Sequence, residues 1–131
     1  MRVEHVALWT ATPEGLERLR DFYCAVFGAA ANARYESRNR PGFASYFLAF
    51  PGGGARLELM TAPGLAPRPA AEAAGWAHLA LSLGAREAVD AFVARAHAEG
   101  VPVVSGPRTT GDGYYEVVVE DPDGNWIEVT S

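Results

Sequence analysis

Residues 4–8 read EHVAL and residues 77–81 read AHLAL, so one short pattern occurs twice in this chain of 131 residues. A second pair of related stretches follows, because residues 56–60 read RLELM and residues 126–130 read WIEVT. Within each half the histidine comes first and the glutamate last, at spacings of 53 (58 − 5) and 50 (128 − 78) residues. Self-similarity of this kind predicts a duplicated structural unit.

Each half also has the same order of predicted elements. Thr12 and Pro13 suit the start of a helix and Gly28 its end, which predicts a helix over residues 13–27; residues 85–99 have the same pattern. Three stretches with strand character follow each helix. They are residues 31–37, 43–50 and 55–60 in the first half, and residues 101–105, 114–120 and 125–130 in the second. Each half is therefore predicted to be a β-α-β-β-β module.

The two modules are expected to form one domain of the α+β class. Module 1 spans residues 1–60 and module 2 spans residues 75–131, joined by a connector over residues 61–74 that is rich in proline and small residues. A module of roughly 60 residues buries too little surface to be stable alone. We therefore expect the modules to share a curved mixed sheet that carries the helices on its convex face.

Composition excludes several classes of partner. The acidic residues outnumber the basic ones by 16 to 11, and a net charge of −5 is unsuited to a phosphate backbone, so no nucleic acid partner is expected. No apolar run approaches the ~20 residues of a membrane helix, and the N-terminal residues lack the apolar core of a signal peptide. We expect a cytoplasmic protein with no membrane partner. The single cysteine, Cys24, is read as a structural thiol in a packed helix.

Four side chains are predicted to form a metal site. Alternation along each strand places the apolar neighbours of His5, Glu58, His78 and Glu128 on one face, under the helices, and these four residues on the other. Two ionised carboxylates that converge in a partly desolvated cup need a positive charge between them. Taken singly, each residue is an ordinary strand histidine or glutamate, but the recurrence in both halves favours a divalent metal. Nitrogen and oxygen ligands suit Zn, Ni or Co, with Mn and Fe as alternatives.

The motifs just quoted resemble those of the vicinal oxygen chelate superfamily. This family includes glyoxalase I, bleomycin-resistance proteins, fosfomycin-resistance enzymes, methylmalonyl-CoA epimerase and extradiol dioxygenases. The likeness covers nearly the whole chain, through residues 3–8, the helix end at 22–28, residues 78–81 and residues 120–128. The order His, Glu, His, Glu is similar to that of bacterial glyoxalase I, in which all four side chains bind the metal.

The resemblance implies an activity and an assembly. The expected reaction is isomerisation or lyase chemistry on a hemithioacetal or a related 2-oxo or 2-hydroxy carbonyl compound, through an enediolate that the metal stabilises. Glu128, with Glu58 as the alternate, is implied to carry the proton between adjacent carbons. Modules of this superfamily often pair across two chains, which implies a homodimer.

The residues expected to contact the substrate depart from the glyoxalase I pattern. An arginine on the first strand and an asparagine after the second ligand's strand help to hold glutathione in that pattern, and Trp9 and Ala62 occupy those places here. Six residues are candidate substrate contacts, with packing or surface charge as the plainer interpretation. They are Trp9, Phe43, Arg56, Trp76, Arg108 and Trp126, with Arg40 as a further candidate for an anionic group.

Two other kinds of function stay open from the sequence. A protein that sequesters a drug or metabolite, as bleomycin-resistance proteins do, would use the same cup without a metal. Another metal enzyme of the superfamily, an epimerase or a ring-cleaving dioxygenase, is the second alternative. Ring-cleaving dioxygenases of the superfamily resemble a site of two histidines and one glutamate, for which Glu58 would be surplus, and their redox reaction would require Fe or Mn.

Overall fold

The computed structural model of the protein describes residues 1–66 and 74–131, which form two compact units, Met1–Arg68 and Pro69–Ser131. Most of the predicted connector, residues 67–73, lies outside the described residues. Its first residue, Thr61, belongs to a strand. The α+β class and the order of elements in the two modules are confirmed. The strands pair as two mixed sheets, one in each unit, where the sequence led us to expect one.

Unit 1 is a helix on a small mixed sheet. Its elements are β1 (His5–Thr10), α1 (Pro13–Phe27), β2 (Ala30–Ala31), β3 (Tyr35–Glu36), β4 (Ala44–Ala49) and β5 (Arg56–Thr61). The strand order is β1-β5-β4-β2, with β3 also on β4. β1 and β5 are parallel, and the other pairs are antiparallel. The parallel pairing places His5 and Glu58 on neighbouring strands.

The predicted strand over residues 31–37 is two short strands, β2 and β3. Asn32 lies between them, and its side chain accepts a hydrogen bond from the backbone N–H of Phe47 at 2.7 Å. The Asn32 N–H donates in turn to the carbonyl of Phe47 at 3.1 Å. A side-chain amide therefore takes the place of a backbone acceptor, which interrupts the regular ladder.

The helix ends in unit 1 follow the predicted signals. The Thr12 side chain accepts a hydrogen bond from the N–H of Gly15 at 3.0 Å, and Pro13 is the first helical residue. Gly28 ends α1 in the left-handed conformation, with φ of 66°. The buried core consists of residues from one face of α1 and from two strands, namely Leu16, Leu19, Tyr23, Val26, Leu48, Leu57 and Leu59.

Unit 2 repeats the arrangement. Its elements are β6 (His78–Ser82), α2 (Arg86–Glu99), β7 (Val103–Thr109), β8 (Tyr115–Glu120) and β9 (Trp126–Thr130). The strand order is β6-β9-β8-β7, and β6 and β9 are parallel as β1 and β5 are. The core is made of Val89, Phe92, Ala96, Val117, Val119, Ile127 and Val129. In the part of the chain that the structure describes, neither helix has the length and hydropathy to span a bilayer.

β7 starts later and ends later than the predicted 101–105. Val101 lies in the turn that closes α2, because its N–H donates to the carbonyl of Ala96 at 2.8 Å. The strand then continues to Thr109 through two register shifts against β8, one on each side of Ser105. Gly106 lies between Ser105 and Arg108 with φ of 90°. The irregularity brings Arg108 directly opposite Glu116.

Candidate metal and substrate site

In unit 1 the predicted ligands His5 and Glu58 lie close together. β1 and β5 are in parallel register with His5 beside Arg56 and Ala7 beside Glu58, so the two ligands are diagonal neighbours on one face. His5 Nε2 is 3.7 Å from Glu58 Oε2. The Glu58 side chain is 15% exposed, while His5 is more open to solvent. The pair therefore has one well-buried carboxylate and one accessible imidazole.

In unit 2 His78 and Glu128 adopt the same arrangement. The register of β6 and β9 sets His78 beside Trp126 and Ala80 beside Glu128. His78 Nε2 is 3.6 Å from Glu128 Oε2, and the Glu128 side chain is 22% exposed. Both the strand register and the separation of the two atoms match those of the first unit. The duplicated sequence therefore yields a duplicated pair of side chains.

The two pairs have the donors that a divalent metal requires. Separations of 3.6 and 3.7 Å are too long for a hydrogen bond and close to the ~3.4 Å that separates two ligands of a tetrahedral zinc ion. Each pair offers an imidazole nitrogen and a carboxylate oxygen, a mixed set that suits a borderline transition metal. Within residues 1–66 and 74–131 no group of three or more His, Cys, Asp or Glu side chains forms a metal cluster. The four-ligand site therefore stays a prediction.

Three neighbours surround His5, and we call the set Glu4, His5, Phe47 and Arg56 the Glu4 cluster. His5 Nδ1 and Arg56 Nη2 both hydrogen bond to the carboxylate of Glu4. The Arg56 guanidinium lies over the Phe47 ring at 4.3 Å, and Phe47 meets the imidazole edge-to-face at 5.2 Å. The hydrogen bond from His5, and then that from Arg56, lowers the pKa of Glu4. Sequence reasoning missed Glu4 and Phe47.

Glu128 has a second carboxylate beside it. Burial raises the pKa of Glu128, and the charge of Glu116 and a hydrogen bond with it raise that pKa further. Glu116 is only 5% exposed and is diagonal to Glu128 across β8 and β9. Arg108 Nη2 donates to Glu116 Oε1 at 2.9 Å and Nε donates to the same oxygen at 3.2 Å. Glu116 was missed because a charged residue within β8 gives no sign of its register.

An aromatic wall lies along the same face of unit 1 and consists of Trp9, Tyr35 and Phe43. The Trp9 and Phe43 rings meet at 6.0 Å and the Tyr35 and Phe43 rings at 6.3 Å, both edge-to-face or nearly so. The Arg40 guanidinium lies 5.4 Å from the Trp9 ring centre and 5.7 Å from that of Phe43. Trp9 keeps 42% of its surface exposed, so the wall is open to a ligand.

The two predicted tryptophans of unit 2 contribute differently. Trp126 is half-buried, and its indole N–H donates to Glu120 Oε1 at 3.1 Å. Trp76 is 92% exposed and precedes the first residue of β6. Trp126 is therefore held in place beside His78, its register partner, whereas Trp76 is not packed against unit 2.

The comparisons with solved structures agree on the fold. A trypanothione-dependent glyoxalase I from Leishmania major is 21% identical with a TM-score of 0.76, over 100% of this chain and 86% of that one. A glyoxylase/bleomycin resistance protein/dioxygenase domain from Frankia sp. EAN1pec is 17% identical with a TM-score of 0.80, over 99% and 96%. A lactoylglutathione lyase from Agrobacterium tumefaciens is 25% identical with a TM-score of 0.69, over 98% and 91%.

A comparison with the curated proteins gave no match. The family described as the Glyoxalase/Bleomycin resistance protein/Dioxygenase superfamily matches residues 2–129, which is nearly the whole chain. Both units, except for their outermost terminal residues, and both His–Glu pairs lie within that match. The chain therefore belongs to the Glyoxalase/Bleomycin resistance protein/Dioxygenase superfamily.

Proposed function

We propose that the protein is a metal-dependent, glyoxalase-like isomerase or lyase that acts on a hemithioacetal or a related 2-oxo or 2-hydroxy carbonyl compound. One observation carries the proposal: a histidine nitrogen and a glutamate oxygen lie 3.6–3.7 Å apart at the same register positions of both units. A polar pair repeated at equivalent positions of both units is not needed for folding, since each partly buried carboxylate there carries a desolvation cost.

The proposed ligands are His5, Glu58, His78 and Glu128, and the proposed cation is Zn, Ni or Co. A divalent cation supplies Lewis acidity toward two neighbouring oxygens of a bound substrate. The imidazoles bind through Nε2, the atom that faces the glutamate in each pair. A cation held by these four side chains would need a further open position for substrate, as a catalytic metal site requires.

Glu128 is the proposed base, with Glu58 as the alternate. The reaction moves a proton from one carbon to its neighbour through an enediolate, so the base must both accept and return that proton. Burial and the neighbouring Glu116 raise the pKa of Glu128, which favours a carboxylate that can hold a proton. Oε2 of Glu128, the oxygen that faces His78, is the proposed proton carrier.

The substrate side favours a less polar thiol or carbonyl partner than glutathione. Trp9 stands where the glyoxalase I pattern has an arginine, and it belongs to the aromatic wall with Phe43. Arg40, Arg56 and Arg108 are the proposed contacts for an anionic group of the substrate; Arg56 also bonds to Glu4, and Arg108 also bonds to Glu116. Trp126, and Trp76 to a lesser degree, are proposed contacts from unit 2.

Metal analysis and a thiol screen test the proposal. Protein purified without chelators should contain about one divalent cation per proposed four-ligand site. The loaded protein should convert methylglyoxal in the presence of at least one of several thiols, glutathione included, and Glu128→Gln should lose at least about a hundredfold in kcat. Equal turnover by wild type and Glu128→Gln would contradict the proposed role of Glu128.

The open aromatic wall favours one alternative, a protein that sequesters a flat drug or metabolite without catalysis. Binding of such a ligand would depend on Trp9 and Phe43 and would survive treatment with a chelator. Loss of binding on metal removal would argue against it. Iron or manganese in the purified protein, with ring cleavage of a catechol, would instead identify the dioxygenase alternative.

A homodimer in the cytoplasm completes the proposal, because glyoxalase-family modules often pair across chains. Sedimentation equilibrium should then give twice the mass of the 131-residue chain. A monomer that binds the metal with full affinity would contradict the dimer and leave the metal site intact.

A further inference from the structure

We infer that Glu4 is a positioning residue that fixes the tautomer and the ring orientation of His5, so that Nε2 is the free nitrogen facing Glu58. The inference rests on the proposed function in one respect, that Nε2 of His5 is a metal ligand. The contacts within the Glu4 cluster support this role.

The tautomer follows from hydrogen-bond chemistry. An ionised carboxylate can only accept hydrogen bonds, so the bond between His5 Nδ1 and the Glu4 carboxylate requires the proton to be on Nδ1. In a neutral imidazole Nε2 then carries a lone pair, which is what a metal needs. Nε2 is also the atom that lies 3.7 Å from Glu58.

The orientation follows from a closed ring of contacts. Glu4 forms two hydrogen bonds with Arg56 of the neighbouring strand β5. Its backbone carbonyl accepts the N–H of Arg56 at 3.0 Å, and its carboxylate accepts a hydrogen bond from Arg56 Nη2. The Arg56 guanidinium covers the Phe47 ring, and the Phe47 ring meets His5. Each member of the Glu4 cluster therefore touches two others, and the imidazole cannot turn without breaking a contact on one side.

The second unit provides an internal comparison. The positions that correspond to Glu4, Arg56 and Phe47 hold Ala77, Trp126 and Val118, from the sequence repeat and the strand registers. None of the three can reproduce the carboxylate or the guanidinium. The two proposed histidine ligands therefore differ in preorganisation, and His5 is the better oriented of the two.

Exposure argues for orientation and against a large effect on stability. The side chains of Glu4, His5 and Arg56 are 50%, 38% and 42% exposed, and ion pairs in such settings contribute little to folding. Carboxylates that orient a ligating histidine typically change metal affinity 10–100-fold, by contrast. A change in metal affinity without a change in stability is therefore the expected signature of Glu4.

Nitrogen NMR of the metal-free protein tests the tautomer directly. With the histidines 15N-labelled and the pH above the usual histidine range, His5 should show a protonated Nδ1 and an unprotonated Nε2. Glu4→Ala should shift both His5 signals toward those of His78, and Glu4→Gln, which retains an acceptor oxygen, should restore part of the wild-type pattern. Glu36→Ala, which removes an exposed carboxylate of the same unit, should change nothing.

Metal affinity provides the second measurement. Competition with a chromogenic chelator should show Zn²⁺ affinity falling about 10–100-fold in Glu4→Ala, less in Glu4→Gln, and not at all in Glu36→Ala. A wild-type His5 protonated at Nε2, or a tautomer unchanged in Glu4→Ala, would overturn the inference. The NMR result needs no metal, so a chain that binds no Zn²⁺ would refute the proposed function while the tautomer still decides the role of Glu4.

Discussion

At the scale of single residues, the histidine–glutamate pairs could be predicted and their neighbours could not. His5, Glu58, His78 and Glu128 stand out because the duplication repeats them and because strand alternation sets their faces. Which residues contact these pairs depends on strand register and side-chain conformation, and local sequence patterns do not reveal either. Glu4, for example, lies just before β1 and bonds to Nδ1 of His5, a contact between adjacent residues that strand alternation does not predict.

The proximity of the Glu116 and Glu128 carboxylates predicts how substitutions near them change the pKa of Glu128. Glu116→Gln removes a negative charge that raises the pKa of Glu128, so that pKa should fall. Arg108→Gln is the matched control with the opposite sign, because the Arg108 charge lowers the same pKa. Carbon NMR titration of the Glu128 carboxyl in the metal-free protein measures both. Shifts in the same direction for the two variants would contradict the assignment.

Glu128 should also destabilise the metal-free protein at neutral pH. Its pKa is raised on folding, so the folded state holds the proton more tightly, and the stability it contributes is lost as the pH rises through that raised pKa. Glu128→Gln, which carries no charge, should therefore raise Tm by a few degrees at pH 7. The gain in Tm should vanish at a pH below the ordinary glutamate pKa, where the side chain at position 128 is uncharged in both proteins. Thermal unfolding at the two pH values checks this.

At the scale of elements, the helices were predicted closely and the short strands were not. Helix limits depend on local signals such as Thr12, Pro13 and Gly28, and α1 has the predicted bounds, while α2 begins one residue later because Ala85 is its N-cap. The strand prediction over residues 31–37 was wrong in one respect, because the Asn32 side chain interrupts it through a contact with a distant strand. Local sequence patterns cannot identify Phe47 as the partner of Asn32.

The two helix N-termini differ, which leads to opposite predictions. Thr12→Ala should lower the free energy of unfolding by about 1 kcal/mol, because the N–H of Gly15 loses its side-chain acceptor. Ala85 has the extended backbone of an N-cap but no side-chain hydrogen bond. Ala85→Ser should therefore raise the free energy of unfolding, by up to about 1 kcal/mol. Urea unfolding measures both, and a gain in stability from Thr12→Ala would refute the capping argument.

At the scale of the whole molecule, the duplication was the most informative property of the sequence. It predicted two units with the same order of elements, and each unit has a His–Glu pair at equivalent register positions. The details in which the units differ, the Glu4 cluster in one and the Glu116–Arg108 pair in the other, follow from substitutions at equivalent strand positions. Duplication therefore predicted the repeated His–Glu pairs, and the sequence differences between the units account for their different surroundings.

The proposed four-ligand site predicts a dependence between the units. His5→Ala and His78→Ala should each weaken Zn²⁺ binding by at least about tenfold, because both pairs supply ligands to the same cation. Calorimetric titration of the wild type should give one tight cation for each set of four residues. Two cations per chain, with the second binding event intact in each variant, would show two independent sites in place of one.

Gly106 in β7 occupies a position where a side chain should be destabilising. A Cβ on Gly106 would lie 2.7 Å from the carbonyl oxygen of Glu116, and the backbone there has a positive φ that favours glycine. Gly106→Ala should lower the free energy of unfolding by at least about 1 kcal/mol. Gly111→Ala, where a Cβ meets open space, is the matched control and should have little effect. Urea unfolding distinguishes them.

The irregular course of β7 has a consequence for the chemistry of Glu128. If β7 kept the register of its first pair, Val103 with Val119, Arg108 would lie opposite Tyr114. That position is about 7 Å along the strand from Glu116, the present partner of Arg108. Glu116 and Glu128 would then adjoin each other without a guanidinium. A small departure from regular pairing thus determines how much negative charge the proposed base experiences, and changes in strand geometry offer a route to altered basicity that leaves every ligand unchanged.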